Sequence, residues 1–151
     1  MESKVTKKKK SVFVQGAITP EMIAKSISHH GVKTGIGAHD IFLGQVRADE
    51  IDNKVVSAID YTAYEKMAET KFVEIRESAF EQYNLTCMHI YHSLGRINAG
   101  EICLFVFTSS AHRSDAMDAT RFLVEEIKKN VPVFGKEIFE DETHQWKVNK
   151  L

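Results

Sequence analysis

Apolar positions along the chain switch between two periods, and the switches predict the order of elements. Residues 11–18 carry a short apolar run that reads as a strand. Thr19-Pro20-Glu21 then places Pro at the first helical position and an acid in the first turn, which predicts a helix to about His30. After a glycine-punctuated loop from Gly31 to Gly37, residues 38–46 read as a strand broken by Gly44. Polar residues 48–54 connect it to another strand over 55–64. Residues 66–82 have helical spacing, with Met67, Phe72, Ile75 and Ala79 roughly on one side. Residues 86–92 predict a further strand, Gly95 and Gly100 bracket a turn, and 102–108 is the most apolar strand of all. Ala116, Thr120, Leu123 and Ile127 recur at four, three and four residues, the stripe of an amphipathic helix, which Pro132 stops. Residues 133–151 read as short irregular strands over the surface. No internal repeat appears, so the pattern predicts one α+β domain over 11–151 behind a flexible basic tail, 1–10.

The composition narrows the class. With 151 residues and 43% hydrophobic content, the chain can build a core without disulfides or metals. A net charge of −1 argues against a nucleic-acid-coated domain, which usually carries a basic excess. Lys7 to Lys10 read as a solvated tail. No stretch approaches the roughly 20 apolar residues of a membrane span, and no signal-peptide core precedes the domain. A cytoplasmic location is therefore expected. Cys87 and Cys103 read as reduced thiols, and neither has a charged neighbour in sequence that favours its thiolate.

The chemistry gathers where elements end. Ser109-Ser110-Ala111-His112-Arg113 closes the most apolar strand and delivers an imidazole and a guanidinium to a helix start, where free backbone N–H groups favour an anion such as a phosphate ester. Arg47 follows a strand, Lys128 lies near the end of the helix that begins at His112, and Lys136 follows Pro132. The tandem His29-His30 closes a helix, where positive charge suits the macrodipole. His89 and His92, three apart on a strand, point to opposite faces and cannot share a metal. The run from Glu137 to Glu142 reads as a solvated edge. No hydrolase elbow, phosphate loop or Cys-x-x-Cys is present, and neither a metal nor a cofactor is expected. Sixteen helical steps separate His112 from Lys128 by roughly 24 Å. Either they serve different sites, or two copies pair so that one chain's His112 and Arg113 face the other's Lys128. The second reading is preferred.

These residues resemble the large, catalytic subunit family of molybdopterin synthase. The likeness runs through Gly37-Ala38, Phe42-Leu43-Gly44-Gln45-Val46-Arg47, Tyr64 to Glu69, His92, Gly95 and Gly100-Glu101. It continues through Ser109 to Arg113, Ile127-Lys128, Val131-Pro132, Lys136-Glu137-Ile138 and Trp146-Lys147. The resemblance implies an α/β hammerhead fold with an additional small antiparallel β-sheet. It also implies a homodimer within a heterotetramer, with a ubiquitin-like small subunit at each end whose Gly-Gly tail carries a C-terminal thiocarboxylate. The implied substrate is cyclic pyranopterin monophosphate, which receives two sulfurs to become the molybdopterin dithiolene.

By the same resemblance, Gln45, Val46 and Arg47 line the substrate, Phe42 forms a pocket wall, and His112 and Arg113 bind from the neighbouring subunit. Lys128 lies beside the inserted tail, and Lys128 and Lys136 are the expected catalytic lysines, with Gly135 and Glu137 beside them. The chain departs from the family at Gly135, where a second active-site lysine is common. Two outcomes are open there: Lys136 reaches into the gap, or activity is reduced. A non-catalytic relative that only docks the small subunit is the runner-up. A phosphate-ester hydrolase using His112 is disfavoured, because no carboxylate partner or metal set is evident near it.

Overall fold

The computed structural model of the protein describes residues 11–148; the tail expected over 1–10 lies outside the described residues. In chain order the elements are β1 (Phe13–Gln15), α1 (Pro20–His30), β2 (Ala38–Gln45), β3 (Glu50–Ile51), β4 (Lys54–Ala63) and α2 (Glu65–Gln82). There follow β5 (Cys87–Asn98), β6 (Ile102–Ser110), α3 (Arg113–Asn130), β7 (Val133–Phe139) and β8 (His144–Trp146). The strands join in the order β2-β6-β5-β4-β7-β8, with β3 on β4 and β1 on β5. Only β1 pairs in parallel.

The apolar run of β6 is buried on both faces, as its lack of alternation requires. Phe105 and Phe107 pack with Ile18 and with Met22 and Ile23 of α1 on one side. Leu104 and Val106 belong to the larger core on the other, with Phe72 and Ile75 of α2 and Leu123 and Ile127 of α3. The stripe Ala116, Thr120, Leu123 and Ile127 is buried throughout. Thr120 adds a hydroxyl contact to Thr108 at 2.8 Å, so its polar group is satisfied inside the core.

Several elements differ from their sequence expectation, each for a physical reason. The first strand is only three residues long, because Gly16 turns away with φ +83°. Within the 48–54 connection, Asp52 and Asn53 both take positive φ and close a two-residue hairpin between β3 and β4. Met67 is 63% exposed, and Ala68 takes its place on the buried stripe of α2. Gly95 lies inside a strand rather than opening a turn: its φ of +87° marks where β5 leaves β6 and begins to pair with β4. The turn itself runs from Asn98 to Glu101, where Glu101 accepts the Asn98 N–H at 2.8 Å.

The C-terminal region differs most. Residues 133–139 form a full strand against β4, with Glu137, Ile138 and Phe139 buried. Gly135, Lys136 and Glu137 had broken the apolar alternation that announces such a strand. His30 is also buried rather than a surface cap: its Nδ1 meets the Ser26 carbonyl at 2.6 Å and its Nε2 meets His89 Nε2 at 2.9 Å. Cys87 does have a charged partner, since Lys33 Nζ reaches its sulfur at 2.8 Å.

Candidate functional site

Lys128 ends the apolar stripe of α3 one residue after Ile127, so the helix carries its ammonium out of the core toward β4 and β7. Two cavities meet there. The larger, about 730 Å³, includes Arg47, Asp49, Glu50, Lys128, Glu137 and Lys147 in its walls. The smaller, about 230 Å³, includes Tyr61, His92, Lys128, Lys129, Gly135 and Lys147. An apolar groove of about 610 Å³ between α2 and β5 contains none of the substrate-binding or catalytic residues implied by the resemblance, although His89 is in its wall.

Register explains which side chains reach this place. Tyr61 pairs with Gly135 and Ile59 with Glu137 across β4 and β7, so these four residues share one sheet face. Lys136 pairs with Asp60 and belongs to the opposite face. It lines neither cavity and does not fill the gap at Gly135. A Cβ at position 135 would stand 2.9 Å from Ile59 Cγ2 and 3.3 Å from Tyr61 Cε1. The strand thus passes its neighbour too closely for any side chain without a shift.

The remaining residues divide plainly. Arg47 is exposed, forms an ion pair with Asp49 at 3.3 Å and lines the larger cavity. Val46 is a core residue, its N–H donating to Glu101 O at 3.0 Å. Phe42 packs against the same core, while Gln45 is exposed; neither lines the two cavities. His112 is the N-cap of α3 without a side-chain capping bond, and both it and Arg113 are exposed. The junction before them is tightly built: Gly37 lies so close to the Ala111 carbonyl that a Cβ would clash at 2.2 Å. Because α3 is continuous, His112 and Lys128 stand roughly 24 Å apart in one chain. The fold does not bring them together within a protomer.

Electrostatics at the cavities follow from burial. Lys128 is exposed as a residue, yet the walls around its ammonium desolvate it and lower its pKa; Cys103 opposes this, and nearby Lys147 reinforces it. His92 is lowered to about 4, first by burial and then by Lys128, against the hydrogen bond to the Ser93 carbonyl. Its ring is therefore neutral at physiological pH. Burial likewise pushes the Tyr61 hydroxyl well above its ordinary value, reinforced by Cys103. Tyr61, His92 and Lys147 were not recognised as site residues from spacing, because they come from three separate elements and only Lys147 carried a charge to notice. Among the described residues no group of three or more His, Cys, Asp or Glu is arranged to hold a metal.

A mixed sheet with two cavities meeting at the C-terminal end of α3 defines a class: an α+β domain that gathers basic side chains at one helix end. The chain belongs to the MoaE protein family, whose sequence profile matches residues 15–130. It is 36% identical over 114 residues to a molybdopterin synthase catalytic subunit of Oryza sativa subsp. indica, covering 76% of this chain and 58% of that protein. The corresponding subunit of Pyrococcus abyssi is 37% identical over 106 residues, covering 70% of each. The crystal structure of molybdopterin synthase from Staphylococcus aureus superposes with a TM-score of 0.79 at 30% identity, over 91% of this chain and 96% of that one. The mixed antiparallel fold expected from the resemblance is the one observed.

Proposed function

We propose that the protein is the catalytic subunit of a molybdopterin synthase, a sulfurtransferase of molybdenum cofactor biosynthesis. The single observation that carries this reading is Lys128, a desolvated lysine shared by two cavities in a chain of this family. Sulfur arrives on the thiocarboxylated Gly-Gly tail of a ubiquitin-like small subunit and is transferred to cyclic pyranopterin monophosphate, forming the dithiolene in two steps. The chain then needs no nucleophile of its own, and neither Cys87 nor Cys103 lines a cavity.

Each residue type suits a role. Arg47 and Lys128 hold anionic groups and stabilise negative charge as sulfur adds to the pterin side chain. A lysine whose pKa is lowered exchanges a proton more readily near neutral pH, so Lys128 also serves as proton donor and acceptor. His112 and Arg113 act from a second copy, since the length of α3 prevents them from serving the same site in their own chain. This reading agrees with the homodimer within a heterotetramer that the resemblance implies. No described helix is long and apolar enough to cross a membrane.

Mixing the purified chain with thiocarboxylated small subunit and the cyclic pterin tests the assignment. Dithiolene product is the expected outcome. Complex formation without product would instead establish a non-catalytic docking relative, and phosphate release with no partner present would establish a hydrolase.

A further inference from the structure

Among the described residues, only Lys128 and Lys147 line both cavities. Lys147 follows β8, and its backbone N–H donates to Gly135 O at 2.8 Å. That bond holds the segment over Gly135, where a Cβ would press on Ile59 and Tyr61. Residues 140–146 are exposed, whereas Lys147 is half-buried. Its side chain has turned toward the molecule rather than toward water, which is unusual for lysine.

Charge balance separates the two cavities. The larger sets Arg47, Lys128 and Lys147 against Asp49, Glu50 and Glu137. The smaller holds Lys128, Lys129 and Lys147 and, among the described residues, no carboxylate, and its other polar walls, Tyr61 and His92, are uncharged. Among the described residues, ion pairs join Arg47 to Asp49, Lys54 to Asp141, Lys71 to Glu74 and Arg96 to Glu142, and none includes Lys147. Ammonium groups that line one small cavity repel one another and together favour an anion there. A cavity of about 230 Å³ admits a phosphate or the end of a peptide tail, but not a large ligand.

We propose that Lys147 is the second cation of the site, clamping an anionic group together with Lys128 where the two cavities join. The clamp supplies from the C-terminal segment the charge that Gly135 does not carry. Its ligand is a phosphate or a carboxylate-like tail end; the choice between them rests on the sulfur-transfer reading, while the clamp itself does not.

Two measurements on Lys147→Ala and Lys147→Arg test it. The first titrates inorganic phosphate into the full-length protein and follows the lysine side-chain amine NMR signals. Phosphate is expected to shift Lys128 and Lys147 together, with affinity about 10-fold weaker in K147A and largely restored in K147R. The second uses the assembled protein with its small subunit and measures KM for each reactant. A rise of about 10-fold or more for the pterin alone identifies the phosphate as the clamped group, and a rise for the small subunit alone identifies the tail. Unchanged phosphate affinity in K147A, or shifts confined to Lys128, overturn the clamp. A wild-type protein that binds phosphate at both lysines yet makes no dithiolene overturns the functional reading and leaves the clamp standing. Equal melting temperatures for the three proteins separate lost binding from lost folding.

Discussion

Both faces of the central sheet collect basic side chains, but they treat them in opposite ways. Beneath α1, His30, His39 and His89 gather around Phe107, with ring centroids 4.7, 5.3 and 6.3 Å from it. Their polar atoms are occupied locally: His30 contacts His89 and the Ser26 carbonyl, and His39 Nδ1 contacts Ser109 Oγ at 2.7 Å. On the other face, Lys128, Lys129 and Lys147 share a cavity to which no described carboxylate contributes. A cluster whose polar groups bond to one another contributes to packing. Like charges lining one small cavity are suited instead to an external anion. Basic composition alone does not separate the two faces; what surrounds the basic groups does.

Breaking the lysine face should have the largest functional effect. Lys128→Ala is expected to reduce dithiolene formation by about 10²- to 10³-fold, with the same melting temperature and the same dimer by light scattering. Normal turnover by that variant would remove Lys128 from the mechanism. His30→Leu, on the opposite face, should leave turnover within twofold and cost about 1–3 kcal/mol of stability in urea unfolding, because His89 loses its partner. A large activity loss in H30L at unchanged stability would erase the distinction between the faces.

Acid titration sharpens the comparison further. His92 has a folded-state pKa of about 4 against an ordinary 6.5, so between these values the unfolded chain binds a proton that the folded one refuses. Its contribution is therefore fully present above pH 6.5 and lost as pH falls toward 4. The loss is about 3 kcal/mol by linkage. Chemical denaturation across this window should show that slope in the wild type and a shallower one in His92→Gln; identical slopes would mean that His92 titrates normally. The smallest effect is expected at Gly135→Ala. Its methyl group presses on Ile59 and Tyr61, costing about 1–3 kcal/mol without any gain in turnover. A stabilised G135A would show that the strand has room to move.

Much of this architecture was legible before any coordinates. Thr19 caps α1, accepting the Met22 N–H at 3.3 Å, and the four-three-four spacing of α3 marked its buried face. Gly135 stood out as a departure from the family, and its cause is now a strand that runs too close to Ile59. The hidden elements were those whose signal is interrupted or non-local. Polar residues at 135–137 disguised β7, and Asp52-Asn53 disguised a hairpin as a connection. Val46 and Lys136 carried the right chemistry at the wrong orientation: one enters the core, and the other turns to the far face of its strand.

Helices and their buried stripes are properties of neighbouring residues, since side chains three or four apart meet on one face whatever the rest of the chain does. The chain's own order of residues therefore determined α1, α3 and the strand between Ile102 and Ser110, and it carried enough of a pattern to mark the family. The meeting of Lys128 with Lys147, Tyr61 and His92 depends instead on strand register and on the bend of β5 at Gly95. Those arise only when distant segments pair and exclude water together. The neutrality of His92 and the lowered pKa of Lys128 are consequences of that burial, so tertiary structure alone decided which of the chain's many basic residues stand together around the cavities.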